Sequence, residues 1–125
     1  MATAGAIKVN GYDAAYYYVK DLDRATRFYN DLLQMKPTSS FPGMAVEYTF
    51  PTGETFGLYK PHDEDWQACH GILFAVDDIK AAVDEFKSKG VQFDQDGNAE
   101  ETPVCFMAFG TDSEGNRFVI HQRKQ

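Results

Sequence analysis

The sequence predicts an α+β domain in which one βαβββ unit is used twice in tandem. Two observations lead to this. Residues 19–25, VKDLDRA, and residues 76–82, VDDIKAA, share the pattern V-x-D-(L/I)-x-x-A at a separation of 57 positions. In both places a strand-like run precedes the pattern and a helical run follows it. Two copies make neither a solenoid nor a propeller. A chain of 125 residues suits one domain over residues 1–125, with module one at about 11–60 and module two at about 69–123.

The elements follow in order. Ala14 to Val19 is rich in tyrosine and reads as a strand. Asp21 then stands where a helix N-cap is needed, and Leu22, Ala25, Phe28, Tyr29, Leu32 and Leu33 recur at helical spacing. Pro37 follows. "MAVEYTF" at 44–50 alternates as a strand does, "PTG" at 51–53 turns the chain, and "TFGLY" at 55–59 returns it. The polar run "KPHDEDWQA" at 60–68 links to the second copy. There "GILFAV" at 71–76 is a strand, and Asp78 caps a helix with Ile79, Ala82, Val83 and Phe86 on one face. Gly90 stops that helix. "VQF" at 91–93, "VCFMAF" at 104–109 and "RFVIHQ" at 117–122 read as strands, the last two joined by the turn "TDSEGN".

Composition excludes several functions. Nineteen acidic residues against twelve basic ones, a formal charge of −7, oppose binding to nucleic acid or to an anionic membrane. The same charge draws cationic guests, weakly at physiological salt. The opening "MATAGAIKVNG" has no basic stretch followed by an apolar run, so no secretory leader is expected, and no segment is apolar enough to span a bilayer. The expected location is cytoplasmic. Cys69 and Cys105 lack CxxC spacing and read as buried free thiols. No Walker loop, Rossmann glycine fingerprint, GxSxG elbow or HExxH is present.

With "VKDLDRATRFYNDLL" early and "DSEGNRFVIHQ" late, the chain resembles the vicinal-oxygen-chelate superfamily, the group of glyoxalase I, bleomycin-resistance proteins and extradiol dioxygenases. The resemblance runs from about Gly11 to Arg123. It rests on V-x-D-L-x-R-A-x-x-F-Y and on the turn Asp112-Ser113-Glu114-Gly115-Asn116, where the family more often has Pro second and Asp third. It implies two βαβββ modules forming a curved mixed sheet around a cavity, with helices on the outer face. It also implies a homodimer, whose cavity is often built from both chains. In metal-dependent members the first and last strands of each module supply His, Gln or Glu as ligands.

Carried over residue by residue, those ligand positions fall on Ala14, Gly71 and Val119, with the fourth near Gly57. None has a side-chain lone pair, so neither a metal nor any other cofactor is expected. His70 adjoins Gly71, but a one-residue slip would turn Ile72, Phe74 and Val76 away from the helices.

Strand alternation assigns the remaining candidates. Tyr17 and Val19 face the helices, whereas Tyr16 and Tyr18 share the parity of Ala14 and either look into the cavity or are buried at a dimer interface. Tyr59 goes with Gly57, and Arg117 and His121 go with Val119. Glu47 reads either as a cavity carboxylate or as a solvent-facing group on an edge strand. Trp66 reads as an aromatic lid, a dimer contact or a loop anchor. His121 is a candidate base with Glu47 beside it, or a polar residue at the sheet mouth. His62 reads as a solvated loop residue, and Cys105 as a nucleophile only if His121 lies against it.

Two functions follow. One is binding of a small organic molecule, aromatic or cationic, by Tyr16, Tyr18, Tyr59, Trp66 and Arg117 without a metal, as the resemblance to bleomycin-resistance proteins implies. The other is a glyoxalase-type lyase or isomerase, or a related dioxygenase-like enzyme, with Glu47 and His121 at a non-standard site.

Overall fold

Asp21 and Asp78 each start a helix. In the computed structural model, described over residues 10–62 and 66–124, Asp21 Oδ1 accepts the Arg24 N–H at 3.0 Å and Asp78 Oδ1 accepts the Ala81 N–H at 3.1 Å. Each aspartate satisfies a donor that a helix N-terminus leaves open. The reading of residues 1–9 as leader-free, and residues 63–65 of the polar link, lie outside the described residues. Helix α1 spans Leu22–Leu33 and α2 spans Ile79–Ser88. Beyond α2, Gly90 has φ of 90°, a conformation that favours glycine.

Module one contributes β1 (Ala15–Tyr18), β2 (Ser39–Phe41), β3 (Ala45–Thr49) and β4 (Thr55–Tyr59), ordered β1-β4-β3-β2. Module two contributes β5 (Ile72–Ala75), β6 (Gln92–Phe93), β7 (Glu100–Glu101), β8 (Cys105–Thr111) and β9 (Arg117–Arg123), ordered β5-β9-β8-β6 with β7 also on β8. Each sheet has one parallel pair, β1 with β4 and β5 with β9, and its other pairs are antiparallel. The α+β class and the βαβββ modules are as expected. The strands form two open sheets, one from each module. Strands β2 and β7 are additional: their residues are all exposed, so no apolar alternation marks them.

Both helices pack on one core. Tyr29 of α1 touches Phe56 of β4 with ring centroids 5.1 Å apart and Phe74 of β5 at 6.3 Å, so it bridges the sheets. Phe28 reaches Phe118 of β9 at 6.1 Å. Tyr17 and Val19, the residues of β1 and its extension assigned to the helix side, are buried.

Polar bonds then fix one module on the other. The Tyr17 hydroxyl accepts the Ile72 N–H at 3.0 Å and donates to the Arg117 carbonyl at 2.6 Å, bridging the start of the β5–β9 ladder. Asn116 Nδ2 donates to the Tyr18 carbonyl at 2.8 Å while its Oδ1 accepts the Cys69 N–H at 2.7 Å. The buried Glu114 carboxylate faces the start of α1, where it accepts the N–H groups of Lys20 and Asp21 at 2.9 Å and Arg24 Nε at 2.6 Å. Burial pushes the Glu114 pKa up. Hydrogen bonds from Arg24, the Asp21 N–H, Ser113 and the Lys20 N–H outweigh it and bring the pKa from 4.5 down to about 2.

A depressed carboxylate pKa stabilises the fold above its unfolded value and loses that contribution as pH falls through the folded one. Glu114→Gln is therefore expected to lower unfolding free energy at pH 7 by about 2–3 kcal/mol. Urea melts of parent and variant should converge between pH 4.5 and about 2.

Candidate functional site

The faces of the two sheets away from the helices carry the candidate residues. Strand register sets Tyr16 beside Gly57 and Gly57 beside Glu47, so the three form one row across β1, β4 and β3. Tyr18, Tyr59 and Ala45 form the next row. Residues paired across strands share a face. Tyr16 and Tyr18 are 37% and 39% exposed whereas Tyr17 between them is 2% exposed, which places the first two on the open side.

Gly57 makes the first row possible. The Tyr16 ring lies over it, and a Cβ at position 57 would sit 2.6 Å from Tyr16 Cζ, closer than any real side chain stands. Lying flat across the glycine, Tyr16 donates its hydroxyl hydrogen to Glu47 Oε2 in a short hydrogen bond. Partial burial, that bond and the carboxylate's charge push the phenol from 10.0 up to about 12. At neutral pH Tyr16 is therefore a fixed donor and not a base.

The second row is aromatic. The rings of Tyr18 and Tyr59 stand 5.7 Å apart and tilted. Trp66 Nε1 donates to the Tyr18 carbonyl at 3.3 Å, and Lys20 Nζ lies 4.2 Å from the centroid of the indole ring. Trp66 is thus tied to the edge of the tyrosine group. Cys69, which its sequence context did not single out for this, accepts the Tyr18 N–H on Sγ at 3.3 Å.

Arg117 and His121 stand elsewhere, on the other sheet. Arg117 pairs with Asp94 through two bonds, 3.1 and 2.5 Å, and donates to Thr111 Oγ1 at 2.7 Å. This pairing holds the Asp94 carboxyl below its ordinary range and raises the guanidinium. His121 lies between Ala75 and Met107 on β9. Glu47 and His121, the two acid–base candidates, therefore occupy different sheets. His62 is exposed, and the buried Cys105 has its Sγ 3.1 Å from Thr102 Oγ1.

The four positions where metal ligands would fall do not fit an ion. Ala14, Gly57, Gly71 and Val119 offer no side-chain donor, and the Tyr16 ring covers Gly57. Among the described residues no three His, Cys, Asp or Glu side chains are grouped so as to hold a metal. Two changes test the Tyr16 arrangement. Glu47→Gln removes the acceptor's charge and Gly57→Ala displaces the ring. In both, the Tyr16 phenol is expected to titrate below about 12, closer to 10.0, in a tyrosinate absorbance titration referenced to Tyr16→Phe.

Comparison with known proteins agrees with this architecture. The sequence profile of the Glyoxalase/Bleomycin resistance protein/Dioxygenase superfamily matches residues 11–120. No curated protein matches the sequence. Among solved structures the chain is similar to TnmS3, an antibiotic binding protein from a Streptomyces species, with a TM-score of 0.80 at 19% identity over 94% of this chain and 99% of that one. It is also similar to glyoxalase/bleomycin resistance proteins from Albidiferax ferrireducens (TM-score 0.70, 21% identity, 90% and 98% covered) and Catenulispora acidiphila (0.69, 17%, 86% and 94%). At these identities the likeness carries the fold.

Proposed function

The chain belongs to the glyoxalase/bleomycin resistance protein/dioxygenase superfamily, and on that premise we propose that it binds a small aromatic organic cation without the help of a metal. The observation that carries this reading is the Tyr16 ring lying over Gly57 and bonded to Glu47, at a position where metal-dependent relatives would present a ligand. An aromatic surface with a carboxylate at its edge attracts a flat, positively charged guest through ring faces and charge together. Tyr18 and Tyr59 supply the neighbouring rings, and Trp66 borders them. The likeness to an antibiotic binding protein supports sequestration as the activity.

The same reading places the protein in the cytoplasm as a homodimer. In it a second copy closes over the open faces, where Phe41, Met44 and Leu73 are 48%, 55% and 50% exposed. Among the described residues no helix is long and apolar enough to cross a membrane.

One observation favours a second reading. The Tyr16–Glu47 pair sets a phenol donor beside a carboxylate, which is the equipment for a proton shift next to a carbonyl. Glu47 would remove the proton and Tyr16 would donate to the developing oxyanion.

Calorimetric titration with acridine orange separates the two. If the protein is a binder, Tyr18→Ala and Glu47→Gln each weaken affinity by about tenfold, and His121→Asn leaves it unchanged. Turnover of a hemithioacetal that disappears in Glu47→Gln would favour the enzyme. Addition of Zn²⁺, Ni²⁺, Mn²⁺ or Fe²⁺ is expected to leave the melting temperature of the parent unchanged, since a bound ion would raise it.

A further inference from the structure

We propose a second binding site, in the cleft between the two modules, for an elongated apolar molecule that ends in an ammonium-type cation. It does not rest on the sheet-face reading and shares none of that reading's tyrosines.

The cleft exists because β1 and β5 are fastened at one end. The ties run from Tyr17 to Ile72 and from Tyr18 to Cys69. Beyond them the strands part, and a cavity of about 770 Å³ opens between Ala15 and the run Leu73 to Val76. That volume is the size of a small-molecule site. Its walls come from both modules: Leu32 and Leu33 at the end of α1, Phe56 of β4, Phe74 of β5, and Ala82 and Phe86 of α2. Phe56, Phe74 and Phe86 are buried, so the floor is apolar and firm.

The mouth is different. Its ionisable residues are Glu54, Glu85 and Tyr12, all exposed, and no Lys, Arg or His is among the described residues that line it. Glu54 accepts the Thr52 hydroxyl at 2.9 Å. Glu85 accepts a hydrogen bond from Gln34 and lies 3.8 Å from Lys89 Nζ, so its charge is partly shared. Tyr12, 80% exposed, adds an aromatic face at the same opening. An apolar floor under two carboxylates and a phenol ring selects a guest with a hydrophobic body and a cationic head over a neutral or anionic one.

The test uses 4-phenylbutylammonium as probe, with 4-phenylbutanol and 4-phenylbutyrate as its neutral and anionic counterparts, titrated into methyl-labelled protein and followed by NMR. The ammonium compound is expected to shift the methyl signals of Leu32, Leu33, Ile72 and Ala82 and to bind at least about tenfold more tightly than the alcohol. Ala82→Trp, which fills the cleft, should abolish those shifts. The double change Glu54→Gln and Glu85→Gln keeps the cleft's shape and should erase the preference for the cation, which keeps the test decisive should Ala82→Trp not fold. Tyr18→Ala should leave the cleft signals as they are, so the two sites fail separately. No shift at these methyls, shifts confined to the Tyr16 and Tyr18 face, or equal binding of all three probes would each overturn the proposal.

Discussion

The turn from Asp112 to Asn116 organises the molecule. It belongs to module two, yet its side chains serve module one. Glu114 stands before α1, Asn116 joins the Tyr18 carbonyl to the Cys69 N–H, and Asp112 accepts the Tyr29 hydroxyl at 2.6 Å. A buried carboxylate is tolerated only where its lone pairs are met. Here two backbone N–H groups and a two-pronged arginine meet them. The same bonds satisfy donors that the beginning of a helix cannot pair internally. One constraint thereby sets the direction of α1, the position of β1 and the outward aim of Tyr16 and Tyr18.

The repeat is symmetric in outline and asymmetric in its fastenings. Both helices begin with an aspartate cap, but only α1 among the two receives the Glu114 carboxylate; at α2 the Ile79 N–H goes to the side-chain oxygen of Gln122 at 2.8 Å. The corresponding turn of module one, Pro51-Thr52-Gly53, is exposed and borders the inter-module cleft. Two copies of one unit have thus come to differ where they meet. Module two clamps module one at one end of the junction, and the inter-module cleft lies beyond that clamp.

Local chemistry was legible in the sequence and relative placement was not. Caps depend on one residue and its next turn, so Asp21 and Asp78 declare themselves. Strand parity depends on alternation, so the division of Tyr16 and Tyr18 from Tyr17 could be read directly. The alignment of Tyr16, Gly57 and Glu47 depends on register across three strands, which no single stretch encodes. The same holds for Arg117 and His121. Their parity is readable, but that they stand on a different sheet from Glu47 follows from strand pairing between distant segments. Asp94, the partner of Arg117, lies in a turn with Gln95 and Asp96 at φ of 53° and 56°, and nothing in "FDQDGN" signals that pairing.

The contact of Tyr16 with Gly57 also bears on descent. A ring resting 2.6 Å from where a Cβ would begin makes the two positions interdependent. Any side chain introduced at 57 meets the ring first and must displace it. A smaller residue at 16, arriving alone, leaves Glu47 without its phenol donor. Either order of change passes through a less well-made intermediate, so substitutions at positions 16 and 57 are expected to be non-additive.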